Sequence, residues 1–249
     1  MTEPWVLDLD GVIWLGNEPI PGAADAVARL KAGGAEVLFV TNMSRLTEAE
    51  QEAKLAGHGI DATGSVLTSA MAAAQLVEAG QRVLVVGGHG INEAVERRGA
   101  TVVDTHPADA VIVGIDPAFN YDELGRAMTA VRGGATLIGT NHDPTYPTAE
   151  GLKPGGGAIV AAIAAAAEVA PTFAGKPNRA AADLVRARLG DSGLMVGDRP
   201  DSDGLFATEL GYDFGLVLSG VTNADDLPVE PSPAVVADDL ASLVTARLG

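Results

Sequence analysis

Cysteine is absent from the 249-residue chain, which removes disulfides, thiolate nucleophiles and cysteine-ligated zinc together. Lysine is scarce: only Lys31, Lys54, Lys153 and Lys176 carry an ammonium among the 16 basic residues. Against 33 acidic residues the formal charge is −17 and the isoelectric point is about 4.4. A nucleic-acid polymer is therefore not an expected partner, because affinity for a phosphate backbone comes mostly from Lys and Arg. No apolar run is long enough to span a bilayer and no basic-then-apolar leader opens the sequence. The expectation is a cytoplasmic protein with no membrane partner. The four histidines, His58, His89, His106 and His142, show no paired ligand spacing, and no G-x-S-x-G elbow accompanies them. Packing or surface roles suit them better than a metal or triad role.

What is present is alternation. Short β-rich runs ("WVLDLD", "AEVLFVTN") are followed by Ala-rich amphipathic stretches ("GAADAVARLKAGG", "LTEAEQEAKLAGHG"), the pattern of a parallel sheet with crossover helices. A second series of the same kind runs through "QRVLVVGG", "INEAVERRG", "ADAVIVGID", "YDELGRAMTAVRGG" and "ATLIGTN". The tail returns to the first style. With 47% hydrophobic residues the chain can fill two cores. The expected organisation is one α/β domain from residues 1–80 and 172–249, interrupted by a second α/β domain over 81–171.

In open parallel sheets, ligands gather beyond the carboxyl ends of the strands. The predicted strand ends deliver Asp8 and Asp10, then Thr41 and Asn42, then Asp198 and Asp203, and the turn "FAGKPN" adds Lys176. Two carboxylates one residue apart at a strand end repel unless a cation compensates, although an Asp-Gly pair alone is equally a solvated turn. Carboxylates, a hydroxyl and one ammonium make an inventory for a hard cation such as Mg2+ and a phosphoryl group. A carboxylate can attack phosphorus to give an aspartyl-phosphate, and a second can protonate the leaving alkoxide and then deprotonate water. Asp201, inside "DRPDSD", reads as a solvated turn residue.

The stretches "DLDGVIW", "FVTN", "GKPN" and "GDRPDSD" stand in the order of the four motifs of the haloacid dehalogenase superfamily. Over nearly its whole length the sequence resembles the NagD-like and para-nitrophenylphosphatase-like branch. The resemblance implies a Rossmann-like parallel-sheet core with an inserted α/β cap. It makes Asp8 the nucleophile and Asp10 the acid/base, with Asp8, the Asp10 backbone carbonyl and Asp198 on Mg2+. Asp203 would organise a metal-bound water or Lys176, while Thr41, Asn42 and Lys176 would hold the phosphoryl group. Asn141 and Asp143, in "TNHDPTYPTAEGLKPGGGAIV", are the candidates for contact with the substrate's leaving group.

The implied activity is magnesium-dependent hydrolysis of a small phosphorylated metabolite. Sugar phosphates, glycerol phosphate, phosphoglycolate and nucleoside monophosphates all fit, and a homodimer through the cap is compatible with the resemblance, which leaves the oligomeric state open. The chain departs from the branch in "TNMSRLT", where Met43 stands for a second Asn and Arg45 sits one place early. Three rivals remain. One is a phosphotransferase or mutase using the same aspartate, and another a phosphometabolite-binding protein with little turnover. The third is a dinucleotide-binding module suggested by "VLVVGGHGINEAV", in which Glu93 occupies the place of the third glycine.

Overall fold

Trp5–Leu7 is a three-residue strand with every side chain buried, and the larger sheet is built outward from it. Its order is Val235–Ala237, Asp213–Val217, Leu194–Gly197, Trp5–Leu7, Val37–Thr41 and Val66–Thr68. Leu7 pairs with Val196 on one side and Phe39 on the other, both in parallel. Strands that follow early in the chain lie to one side and those of the last third lie to the other. The order of the chain therefore reverses at Trp5–Leu7, and such a reversal opens a crevice at the carboxyl ends of the strands. Asp8, Thr41 and Asp198 are carried there as the last residues of, or the first beyond, three adjacent strands. The computed structural model describes residues 3–148 and 151–248.

The strands are short continuous apolar runs because both faces are covered. On one face Trp5, Leu7, Val37, Phe39, Leu194 and Val196 pack with Val27 and Leu30 of the helix Ala23–Ala32 and Leu240, Leu243 and Val244 of Leu240–Leu248. The first of these helices buries Ala23, Ala26, Val27 and Leu30, one stripe of a 3.6-residue period.

The described residues fall into two compact units, one within 1–41, 49–67 and 176–249 and one within 42–48 and 68–175. The second has its own parallel sheet, in the order Thr172–Phe173, Thr136–Gly139, Ala110–Val113, Arg82–Val86 and Thr101–Val103. Its core packs Val111, Val113 and Leu137 against Ala127 and Val131 of the helix Tyr121–Arg132 and Ile159, Val160 and Ile163 of Gly156–Ala167. Asn120 and Glu123 form a reciprocal capping box at the start of Tyr121–Arg132, which satisfies N–H groups that would otherwise be orphaned. The helix Ser69–Ala74, capped by the Thr68 hydroxyl, packs on His89–Arg97 and so belongs to this unit. An antiparallel hairpin, Thr145–Thr148 with Gly151–Pro154, completes it.

The glycine-rich turn after Arg82–Val86 has a different use from the one its spacing suggests. A Cβ on Gly90 would collide with the Leu46 carbonyl, and one on Gly88 with Arg45. The Gly90 N–H donates to the Arg45 carbonyl at 3.0 Å. These glycines admit the chain's own segment 44–46 to the start of the helix His89–Arg97, the place where a dinucleotide-binding module would seat its pyrophosphate. That rival reading is set aside on this ground. Among the described residues no helix is long and apolar enough to cross a membrane.

Candidate active site

The first strand ends with the Asp8 N–H donating to the Val196 carbonyl at 2.9 Å, which fixes the backbone from which the carboxylate projects. Lys176 reaches it from a different part of the chain. Its Nζ lies 2.8 Å from Asp8 Oδ1 and 2.6 Å from Asp203 Oδ1, and the lysine is only 2% exposed. The second oxygen of Asp203 accepts the Arg199 N–H at 3.2 Å, so this fully buried carboxylate is held at both ends. Asp198 Oδ2 accepts the Val221 N–H at 2.6 Å. Its Oδ1 is buried with no hydrogen-bond partner.

Asp8, Asp198 and Asp203 each offer an oxygen, and the three oxygens lie within 4.8 Å of one another. Backbone approaches closely around them. Gly11 has a φ of +85°, a conformation that L side chains rarely adopt. A Cβ there, or on Gly220, would run into the Asp198 carboxylate. The Ser219 hydroxyl ties the two segments by donating to the Gly11 carbonyl at 2.7 Å.

Three buried carboxylates around one ammonium leave negative charge uncompensated. Burial pushes Asp198 up to about 8, with Asp203 and Asp8 adding to the rise. Burial likewise lifts Asp203 to about 6 against the pull of Lys176, and raises Asp8 against the same ammonium. For Lys176 burial alone would favour the neutral amine, but Asp203 and Asp8 outweigh it and hold the proton more firmly than usual. The residues fit a divalent cation. Hard carboxylate oxygens, one of them an orphaned buried acceptor on Asp198, are the donor set that such an ion takes.

A pH dependence follows. Asp198 and Asp203 have folded values above the ordinary carboxylate range, so between that range and about 8 the folded chain binds more protons than the unfolded one. Stability then falls as pH rises. The metal-free protein is expected to melt at a lower temperature at pH 8 than at pH 6, and added Mg2+ to recover more at pH 8. Thermal melts in chelator and in Mg2+ read this directly. Equal melting points in chelator at the two pH values would contradict it.

Other residues singled out in the sequence fall into place around this cluster or apart from it. Thr41 is buried at the end of Val37–Thr41. Asp10 is an exposed residue, but its carboxylate is partly buried where it accepts the Trp14 indole N–H at 3.0 Å. The protein packed against it pushes it above the ordinary carboxylate range, opposed by Lys54, by the indole and by Lys176. Asn42, Asn141 and Asp143 meet in the second unit. Asn42 Nδ2 donates to Asp143 Oδ2 at 3.1 Å, and Asn141 Nδ2 donates to the Asn42 carbonyl at 2.8 Å. Asp201 is exposed and faces Arg199 at 3.3 Å, as a turn carboxylate would. His142 packs edge-on to Phe173 and His58 against Trp14.

A sequence model of the haloacid dehalogenase-like hydrolases matches residues 5–101, and a second, HAD-hydrolase-like, matches residues 173–243. The chain belongs to the haloacid dehalogenase (HAD) superfamily. Among its HAD relatives, a 5′-nucleotidase of Bacillus subtilis is 36% identical over 230 residues, 90% of each chain. An acid sugar phosphatase of Staphylococcus aureus is 34% identical over 230 residues, 90% of this chain and 89% of that protein. The structure of a glycerol phosphate phosphatase from Mycobacterium tuberculosis in complex with magnesium superposes with a TM-score of 0.89 at 36% identity, covering 97% of this chain and 76% of that one. The protein is thus a HAD-type hydrolase, a phosphatase of phosphate monoesters whose aspartate cluster suits a divalent cation.

Sequence reading alone missed several residues of this HAD site. Val221 and Gly220 follow no motif, and their place against Asp198 comes from the neighbouring strand Asp213–Val217 delivering its loop. Lys54 and Trp14, beside Asp10, were missed too; the scarcity of lysine was the one signal pointing to Lys54.

Proposed function

We propose that the protein is a magnesium-dependent phosphatase of small metabolite monoesters, working through an aspartyl-phosphate on Asp8. The observation that carries this reading is the buried Lys176 ammonium shared between Asp8 and Asp203, beside an Asp198 oxygen with no partner. Asp8, Asp198 and the Asp10 backbone carbonyl would hold Mg2+, which supplies charge neutralisation to the phosphoryl oxygens. Lys176 and the Thr41 hydroxyl, with Asn42 next in the chain, bind and orient the phosphoryl group. Asp203 keeps Lys176 in place.

Asp8 attacks phosphorus as the ester P–O bond breaks, and Asp10 gives its proton to the departing oxygen. Asp10, now a carboxylate, takes a proton from water, whose oxygen attacks the same phosphorus and releases Asp8 and inorganic phosphate. A water acceptor makes the enzyme a phosphatase, whereas turnover that needs a second alcohol would make it a phosphotransferase.

The unit built on residues 42–48 and 68–175 serves as the cap in this proposal, and Asn141 and Asp143 contact the leaving group. The substrate class is a small phosphorylated metabolite: a sugar phosphate, glycerol phosphate, phosphoglycolate or a nucleoside monophosphate. The names of the relatives span three of these four. Phosphate release from a panel of such esters tests the reading, with Mg2+ and with chelator. Turnover is expected only with the metal and with no added alcohol. Undiminished release in excess chelator, or release only when a second alcohol is present, would overturn it.

A further inference from the structure

The turn after the first strand doubles back on itself. The Ile13 and Trp14 N–H groups both donate to the Leu9 carbonyl, at 2.8 and 3.2 Å, and the Trp14 carbonyl accepts the Gly11 N–H at 2.7 Å. Trp14 is thereby returned to the side of Asp10, four residues earlier, where its Nε1–H donates to Oδ1. The indole is 1% exposed, and a buried indole N–H requires an acceptor. Its ring is itself held. Lys54 Nζ stands 3.8 Å from the ring centroid, a cation–π distance, and donates to the Gly16 carbonyl at 3.2 Å.

A carboxyl that moves a proton in two successive steps must present the same oxygen to the reacting centre each time. Left to itself an exposed Asp samples several rotamers, and each misaligned one is unproductive. An N–H donor on Oδ1 favours the proton on the other oxygen, because a carbonyl oxygen accepts more strongly than a carboxylic hydroxyl. The transferable proton is therefore directed to Oδ2.

We propose that Trp14, seated by the Lys54 ammonium, positions Asp10 so that Oδ2 carries the proton exchanged with the leaving oxygen and then with water. This rests on the reading of Asp10 as the acid/base. In the first step the Oδ2–H bond breaks as the alcohol O–H forms and the ester P–O bond opens. In the second, Oδ2 takes the proton of the attacking water. Trp14 and Lys54 touch neither substrate nor phosphorus, and act only through Asp10.

The consequence is a dependence on the leaving group. An alkoxide leaves poorly without a proton, whereas 4-nitrophenolate is stable enough to leave unaided. kcat/KM reports the steps up to the first departure, so it isolates acid catalysis from the later attack of water. Trp14→Phe keeps the ring and removes the donor. It is expected to lose about tenfold or more of kcat/KM for glycerol phosphate, with little change for 4-nitrophenyl phosphate. Lys54→Met is expected to move the same way by less, and Lys54→Arg, which keeps a cation over the ring, to restore the native ratio.

Asp10→Asn is measured alongside. Equal losses on the two esters in Trp14→Phe, with a clear split in Asp10→Asn, would overturn the positioning role alone. No split in Asp10→Asn would remove the acid/base reading and this proposal with it. Should Trp14→Phe fail to fold, Lys54→Met decides, and an unchanged ester ratio in that variant overturns the proposal.

Discussion

Asp8→Asn is expected to lower kcat for 4-nitrophenyl phosphate in Mg2+ by ~10⁴-fold or more, the scale on which removal of a covalent nucleophile is felt. The amide has nearly the shape of the carboxylate but no charge with which to attack phosphorus. Lys176 keeps its 2.6 Å contact with Asp203, so the ammonium is not left without a counter-ion. The melting temperature in chelator should therefore stay level or rise, because one of three mutually repelling carboxylates is gone. Phosphate release and a thermal melt on the same preparation separate the two effects. Turnover within tenfold of the native chain would remove Asp8 from the nucleophile's role.

Lys176→Met should fail in the opposite way, losing stability as well as activity. The substitution preserves a long buried chain and deletes the one charge that faces both Asp8 and Asp203. Removing one member of a buried ion pair costs about 3–5 kcal/mol, and here two carboxylates lose the same partner. The cluster can relieve itself by taking up protons, which raises the folded-state values of both acids further above their unfolded ones. By linkage the loss is then small at pH 5, where the folded carboxyls are protonated, and grows as pH rises to 8. Urea midpoints at the two pH values test this. A destabilisation equal at pH 5 and pH 8 would mean that lost packing, rather than uncompensated charge, is what the variant reveals. Added Mg2+ should recover part of the stability and none of the turnover.

The strand ends and their order were legible in the sequence because they are written locally. An apolar run followed at once by Asp or Thr can be read from neighbours in the chain, and Asp8, Thr41 and Asp198 do come to the ends of three adjacent strands. The partners of those residues were not legible. Asn42 turns to Asp143, which is 101 residues away, and Val221 closes on Asp198 from a loop that carries no motif. Asp10 illustrates the same limit at close range. Two carboxylates one residue apart suggest a pair, because alternate residues of a strand share a face, yet the strand ends at Leu7 and the chain turns back at the Leu9 carbonyl. Asp8 turns inward to Lys176, and Asp10 turns to an indole that the sequence shows only as one more apolar residue. The turn "GGHGI" shows a local signal with two physical meanings. Glycines admit a close neighbour without specifying it, and here the neighbour is the chain itself.

That neighbour bears on how such a protein can be taken apart. Segment 42–48 lies in sequence between two pieces of the first unit and yet belongs to the second, where the Arg45 carbonyl occupies the start of a helix and Leu46 and Ser44 fill the space that Gly90 and Gly114 leave open. A fragment cut as residues 68–175 would carry the sheet and every helix of its unit but leave that slot empty. Modular exchange is constrained accordingly. A recombinant that borrows this unit from a relative inherits a mismatched slot unless residues 42–48 travel with it, so the smallest heritable module is two separate stretches of chain.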